Sequence, residues 1–118
     1  MTQSLSILVI EDEPLIAMMM EDFIDMLGHQ LAGTVDSVAD ALAQVEAGGF
    51  DVAILDVHLR DGVCWPVADK LRAQGVPFLL ATGGHVEPPP ARHADAPALA
   101  KPYTIDAIEP LLDKALGG

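Results

Sequence analysis

The chain has 118 residues, 51% of them hydrophobic, which predicts one domain over residues 1–118 with its own core and no output domain. A net charge of −12 repels phosphate backbones and acidic membrane surfaces, so we expect no direct binding to nucleic acid or membranes. The lone Cys64 cannot form an internal disulfide. With no leader pattern and no apolar run of roughly 20 residues, we expect a cytoplasmic protein.

The first buried strand is predicted at residues 5–10, an apolar run typical of a parallel sheet covered on both faces. Glu11, Asp12 and Glu13 follow, and Pro14 suits the first turn of a helix. Acids at a helix start complement its dipole, which accounts for one or two of them. Further carboxylates at this strand end would repel by about 1 to 4 kcal/mol at ~4 Å, and a cation would relieve that repulsion.

Helical spacing of apolar residues predicts a first helix over residues 15–27. On this helix Met18 falls opposite the buried stripe, so its side chain is predicted to be exposed. Residues 31–35 form a short, partly alternating pattern that is typical of an edge strand. Ser37 is then predicted to cap a second helix.

The central strand is predicted at residues 52–55, and it ends on Asp56. A carboxylate at the carboxyl end of a buried strand lies at the edge where open α/β sheets place their ligands. Asp56 is therefore a candidate site residue, with an Asp that merely starts a turn as the alternative. After a turn at residues 60–62, a third helix is predicted over residues 63–74.

A fourth strand at residues 78–81 leads to Thr82, which brings a hydroxyl to the same edge. Residues 83–97 contain three consecutive prolines and no apolar periodicity, so a loop is predicted in place of a helix. This segment has little apolar surface to offset the entropy of ordering. We expect it to be mobile in the free protein.

A final strand at residues 98–100 is followed by Lys101. The last helix is predicted to be capped by Thr104 and kinked or frayed by Pro110. Five strands thus alternate with four clear helices. This alternation predicts an α/β protein with a doubly wound parallel sheet.

Side chains of three kinds collect at one edge of such a sheet: three acids, one hydroxyl and one ammonium. They belong to Glu11, Asp12, Asp56, Thr82 and Lys101. Together they suit phosphoryl transfer to a carboxylate, in which a hard cation neutralises charge while a Lys and a hydroxyl hold the phosphoryl oxygens. Asp56 is the candidate nucleophile.

Over essentially its whole length, the sequence resembles the receiver domains of two-component response regulators. The matching motifs are the acidic pair Glu11 and Asp12, Asp56 within ILDVHLRDG, Thr82 within LLATGG, and Lys101 before a proline. The resemblance implies a flavodoxin-like fold with strand order 2-1-3-4-5, and here the fourth helix is expected to be short or missing. It also implies a phosphorelay role without separate enzyme activity.

The resemblance further implies that Asp56 accepts a phosphoryl group from a histidine kinase or a histidine phosphotransfer protein. Asp12 and Asp56 would be direct Mg²⁺ ligands, Glu11 a ligand through water, and the backbone carbonyl of His58 the remaining protein ligand. The first helix would present Met18 to the partner, and a homodimer is compatible with this role.

Thr82 and Lys101 would contact the phosphoryl group. The chain is similar to a stand-alone subgroup with a Phe-Ala-Thr-Gly-Tyr motif, in which Leu80 stands for the Phe and Gly84 for the Tyr. The family usually carries an aromatic residue three positions before the Lys, where this chain has Ala98. The usual switch between a threonine and an aromatic residue is therefore in doubt.

Two other functions compete with the phosphoacceptor. A phosphatase of the haloacid dehalogenase type needs a second Asp two residues after the nucleophile, where this chain has His58. A pseudo-receiver would only bind proteins, yet the five site residues are present. His29, His85 and His93 lack the spacing of metal ligands and are predicted to lie on the surface or in loops.

Overall fold

The computed structural model describes residues 4–82, 89–100 and 103–117. Its main sheet has five parallel strands, in the order 30–35, 6–10, 52–56, 78–82 and 98–100, and residues 58–59 and 62–63 form a separate two-stranded hairpin. The strands are β1 (Ser6–Ile10), β2 (Gln30–Val35), β3 (Val52–Asp56), β4 (His58–Leu59), β5 (Gly62–Val63), β6 (Phe78–Thr82) and β7 (Ala98–Ala100). The helices are α1 (Pro14–Met26), α2 (Val38–Ala47), α3 (Trp65–Ala73) and α4 (Ile105–Ala115). The predicted doubly wound fold and its strand order are confirmed.

The sheet separates two hydrophobic cores, because side chains alternate between its faces along each strand. On β1, Leu8 and Ile10 pack into the core beneath α2 and α3, whereas Ile7 and Val9 pack into the core beneath α1 and α4. The neighbouring strand β3 alternates in the same way. Burial on both faces explains why these strands are continuous apolar runs in the sequence.

The strand order reverses between β1 and β3, since β2 lies on one side of β1 and β3 on the other. Their parallel register pairs Ile10 with Leu55, so the two strands end side by side. Ligands of open α/β sheets bind at the carboxyl ends of strands where the order reverses. The fold therefore directs attention to the residues that directly follow Ile10 and Leu55.

Three predictions about the helices have different outcomes: the caps at Ser37 and Thr104, and the effect of Pro110. Ser37 caps α2 as expected, its Oγ accepting a hydrogen bond from the Asp40 amide at 3.1 Å. Thr104 stands before α4 but makes no side-chain cap, and that prediction is wrong. Fraying at Pro110 is also wrong, because α4 continues to Ala115. A proline there costs one backbone hydrogen bond, which the buried apolar face of the helix offsets.

The third helix begins two residues later than predicted. Val63 belongs to β5 and pairs with His58 of β4 in an antiparallel hairpin, and α3 starts only at Trp65. The chain therefore folds back on itself between the end of β3 and α3. His58, the first residue of this hairpin, follows the last residue of β3 by two positions.

Residues 89–97 lead back to β7. They contain one 3-10 turn, Ala91–His93, and no α-helix. Arg92 pairs with Asp69 on α3 at 2.7 Å, and Arg72 pairs with Asp95 at 2.8 Å. Apart from the 3-10 turn, the prediction of a loop in place of a helix is confirmed for residues 89–97. Their mobility stays a prediction. Residues 83–88 lie outside the described part of the chain.

Two histidines lie in connecting segments, as the prediction of surface or loop positions allowed, but both rings are buried and not at the surface. His93 is fully buried, stacks on Trp65, donates from Nε2 to Asp69 and accepts at Nδ1 from Arg72. His29 accepts at Nδ1 from the Leu5 amide and pairs through Nε2 with Glu109 of α4. Both rings have polar partners at both nitrogens, which is what permits their burial. His85 falls outside the described residues.

Among the described residues, no helix is both long enough and apolar enough to cross a membrane.

Candidate functional site

Three carboxylates that the sequence singled out come together at the carboxyl edge of the sheet. Glu11 and Asp12 directly follow β1, and Asp56 is the last residue of β3. One oxygen from each of the three carboxylates lies within 4.8 Å of the others. Glu11 is buried, while Asp12 and Asp56 are half-buried. We call these three residues the acidic cluster.

Backbone hydrogen bonds fix the position of Glu11. Its amide donates to the Val35 carbonyl at 2.9 Å, which extends the pairing of β1 and β2 by one residue. Its Oε2 accepts a hydrogen bond from the Glu13 amide at 3.0 Å, just before α1 begins at Pro14. The side chain is thereby held against the strand ends and cannot turn freely into solvent.

The acidic cluster changes the pKa of its buried member, Glu11. Burial, followed by the proximity of Asp56 and Asp12, raises the pKa of Glu11 from 4.5 to about 8, although the hydrogen bond from Glu13 opposes this shift. Below that pH, Glu11 holds a proton when no cation is bound. Burial is the largest cause of the raised pKa of Glu11, and the neighbouring acids add to it.

The acidic cluster fits a Mg²⁺ ion by its chemistry. Mg²⁺ prefers oxygen ligands and is typically held by one or two carboxylates while it keeps several waters. A cavity of about 310 Å³ borders two members of the cluster and is lined in part by Glu11, Asp12, Asp36 and Asp40. A cation would also supply the positive charge that a deprotonated Glu11 needs.

The other predicted site residues are placed less completely. His58 begins the hairpin two residues after Asp56, and its side chain is exposed. Thr82 ends β6, in which the register pairs Ala81 with Asp56, so its backbone lies at the same edge. The side chain of Thr82 and the whole of Lys101 fall outside what the structure describes.

The sequence profile of the response regulator receiver domain matches residues 7–109. The chain belongs to this receiver family. The match covers both strands that lead to the acidic cluster and the first part of α4, up to residue 109, so the sheet and the cluster lie within one receiver domain.

Several known proteins are similar to this receiver domain. The transcriptional regulatory protein TcrA of Mycobacterium tuberculosis is 34% identical in an alignment of 110 residues that covers 86% of this chain and 42% of TcrA. The phyllosphere-induced regulator PhyR of Methylorubrum extorquens is 31% identical in an alignment of 121 residues, gaps included, that covers 93% of this chain and 43% of PhyR. The receiver domain therefore spans less than half the length of these two relatives.

A solved structure covers nearly the whole receiver domain. The solution structure of SdrG from Sphingomonas melonis Fr1 is 51% identical, with a TM-score of 0.81 over 99% of this chain and 97% of SdrG. A second solution structure shows the BeF3-activated conformation of SdrG, with a TM-score of 0.76 over 98% of this chain and 97% of SdrG. Similarity at this level extends from the fold to the sequence.

Tyr103 is a site neighbour that sequence reasoning missed. It is buried, and burial together with the negative charges of Asp56 and Glu11 raises the pKa of its phenol. The resemblance to receiver domains led us to expect the aromatic switch residue only at position 98, on the other side of Lys101. The signal was nevertheless present, because Tyr103 follows the Lys-Pro pair directly.

Cys64 is a packing residue in the core beneath α2 and α3. Its side chain is fully buried, and burial, with a smaller contribution from the charge of Asp56, raises the pKa of its thiol to about 12. The thiolate is the reactive form of cysteine, so a thiol with this pKa is inert near neutral pH.

A cavity of about 650 Å³ lies at the opposite edge of the sheet. It is bordered by the start of β6 and the carboxyl ends of α3 and α4, with Arg72, Phe78 and Lys114 among its lining residues. The acidic cluster does not contribute to it. Size alone would therefore have misplaced the functional site of this receiver domain.

Proposed function

We propose that this receiver domain is a phosphoacceptor of a two-component phosphorelay and that Asp56 accepts the phosphoryl group. The observation that carries the proposal is the convergence of Asp56 with Glu11 and Asp12 at the point where the strand order reverses. The BeF3-activated conformation of SdrG supports it, because beryllofluoride imitates a phosphoryl group on a carboxylate and SdrG is 51% identical to this chain.

In the proposed reaction, a carboxylate oxygen of Asp56 attacks the phosphorus of a phosphohistidine. The new P–O bond forms as the P–N bond breaks, and the electron pair of that bond remains on the imidazole of the donor, which then takes up a proton. The signal ends by hydrolysis, in which water attacks the phosphorus of the phosphorylated Asp56 and releases inorganic phosphate and the free carboxylate. Both steps are balanced without any redox partner.

When bound, Mg²⁺ would neutralise charge on the carboxylates and on the phosphoryl oxygens. The residues proposed to hold it are Asp12 and Asp56 directly, Glu11 through water, and His58 through its backbone carbonyl. Glu11 must lose its proton for the full negative charge of the cluster to be available. Thr82 and Lys101 are proposed to hold the phosphoryl oxygens.

The proposal includes no separate enzyme activity, since the phosphoryl group is accepted and lost by the receiver domain itself. We further propose that the receiver domain acts as a stand-alone module in the cytoplasm, between a histidine kinase and a histidine phosphotransfer protein. The net charge of −12 disfavours nucleic acid as a direct partner.

The donor is proposed to dock on α1, next to the acidic cluster. The outer side of this helix exposes three large apolar side chains, with relative exposures of 78% for Leu15, 59% for Met18 and 70% for Met26. The predicted exposure of Met18 is thereby confirmed. Unbranched methionine adapts to the surface of a partner, which suits a contact that must form and dissociate.

Labelling with a small phosphodonor tests the function. The protein is incubated with phosphoramidate and Mg²⁺, and its intact mass is measured over time. The native protein should gain the mass of one phosphoryl group and then lose it, and Asp56→Asn should gain none. Asp51→Asn is the matched control, because it makes the same change in an exposed residue just before β3 and should still be labelled.

The outcomes separate the competing functions. Labelling of Asp56→Asn equal to that of the native protein would end the phosphoacceptor proposal. A native protein that is never labelled and binds no Mg²⁺ would favour the pseudo-receiver. Steady hydrolysis of an added phosphate ester would favour a phosphatase, which the exposed His58 at the second acid position already disfavours.

A further inference from the structure

The hairpin β4–β5 is fastened to the start of α2. Asp61, in the turn of the hairpin, accepts two backbone hydrogen bonds, at Oδ1 from the Val38 amide at 2.6 Å and at Oδ2 from the Ala39 amide at 3.2 Å. The backbone amide of Arg60 donates to the carbonyl of Asp36 at 3.2 Å. Two consecutive turn residues therefore bind residues 36–39, at the start of α2. We call residues 35–39 the α2 corner.

These contacts complete the cap of α2. Backbone amides in the first turn of a helix have no partner within the helix. In α2, Asp61 accepts from the first two, Val38 and Ala39, and the Ser37 hydroxyl accepts from the third, Asp40. The two backbone hydrogen bonds lower the pKa of Asp61, so its carboxylate stays ionised at neutral pH. The helix and the hairpin thus each depend on this carboxylate for their relative position.

The α2 corner is also hydrogen-bonded to Glu11, on the other side of the candidate site. Val35, which ends β2 directly before Asp36, accepts the backbone hydrogen bond from Glu11 at 2.9 Å. Residues 35–39 consequently hold the strand end that carries Glu11 and the hairpin that carries His58. The separation between these two sides of the site is set by one short segment, because both are hydrogen-bonded to it.

We propose that Asp61 is a positioning residue that fixes the hairpin on α2 and thereby sets the place of the His58 carbonyl relative to the acidic cluster. This inference rests on the proposed function, in which that carbonyl is a ligand of Mg²⁺. Residues that orient ligands without touching the metal commonly affect its affinity by about 10- to 100-fold. The side-chain pair of Arg60 and Asp36 is exposed and adds little to this fastening.

The experiment compares Mg²⁺ affinity and metal-free structure in matched variants of the full chain. Asp61→Ala should raise the Kd for Mg²⁺ about tenfold, and Asp61→Asn, which keeps one carbonyl acceptor, should raise it less. Amide hydrogen exchange of residues 57–63 in the metal-free protein should become faster in both. Calorimetric titration gives the Kd, and exchange followed by mass spectrometry gives the local opening.

Two controls separate positioning from simpler effects. Ser37→Ala removes the other part of the α2 cap without altering the hairpin contacts, so it should lower the free energy of unfolding and leave the Kd unchanged. Asp40→Asn removes one negative charge next to the α2 corner without touching the hairpin, and it measures the purely electrostatic loss that Asp61→Asn also suffers.

An unchanged Kd in Asp61→Ala, or an equal rise in Ser37→Ala or Asp40→Asn, would overturn the positioning role. Failure of the proposed function has a different signature, because the native protein itself would then bind no Mg²⁺ and accept no phosphoryl group. In that case unchanged exchange of residues 57–63 in the Asp61 variants would still count against the fastening.

Discussion

Replacing Glu11 with Gln should remove a large part of the pH dependence of stability in the metal-free protein. The folded state raises the pKa of Glu11 from 4.5 to about 8, so it binds this proton more tightly than the unfolded chain does. The stability from this group is full below pH 4.5 and is lost as the pH rises towards 8. At about 1.36 kcal/mol per pKa unit, the native free energy of unfolding should fall by about 3 kcal/mol between pH 5 and pH 8.

A glutamine imitates the protonated acid, since its carbonyl can accept from the Glu13 amide and its amide group can donate to Asp56. Glu11→Gln should therefore be more stable than the native protein at pH 7, by about 2 to 3 kcal/mol. Urea unfolding from pH 5 to pH 8 with a chelator measures this difference. Glu13→Gln, which removes an exposed acid two residues away, should follow the native curve.

Adding Mg²⁺ provides the second half of the test. A bound cation stabilises the ionised form of Glu11, so the native protein should regain stability at pH 8 and Glu11→Gln should regain less. Parallel pH profiles for the native protein and Glu11→Gln in the absence of Mg²⁺ would refute the reasoning, because they would show that Glu11 is already ionised in the folded state.

Three further predictions concern single positions. Asp12→Asn should weaken both Mg²⁺ binding and labelling by phosphoramidate, measured by calorimetry and intact mass, and full labelling would exclude it from the metal site. Met18→Glu should slow transfer from a phosphohistidine donor but leave phosphoramidate labelling intact, and equal slowing would contradict a docking role. His93→Ala should cost about 2 to 4 kcal/mol in urea unfolding and speed amide exchange of residues 89–97, whereas His58→Ala, at an exposed site, should change stability by less than about 0.5 kcal/mol.

The parts of the fold that the sequence predicted well depend on local patterns. Apolar runs identified the strands at residues 6–10 and 52–56, because burial on both sheet faces demands them. Since parallel strands end at a common edge, the acids that follow these runs could be brought together without knowledge of any side-chain contact. Glu11, Asp12 and Asp56 therefore converge as predicted.

The parts that were missed depend on partners far apart in the chain. His93 is buried because Asp69 and Arg72 meet its two nitrogens, and neither lies within 20 residues of it in sequence. The hydrogen bonds from α2 to Asp61 likewise join residues that no local periodicity connects. Such contacts are decided by how the elements pack, and nothing in a proline-rich stretch predicts that its histidine is buried.

The pairing of His29 with Glu109 also matters for how the protein is made. This contact joins residues 80 positions apart, and it buries a polar ring between β2 and α4. During synthesis the amino-terminal strands leave the ribosome first, while the ring of His29 lacks its partner until α4 has emerged. A nascent chain arrested before residue 105 should therefore stay sensitive to protease at the start of β2, and resistance should appear only when the last helix has been released.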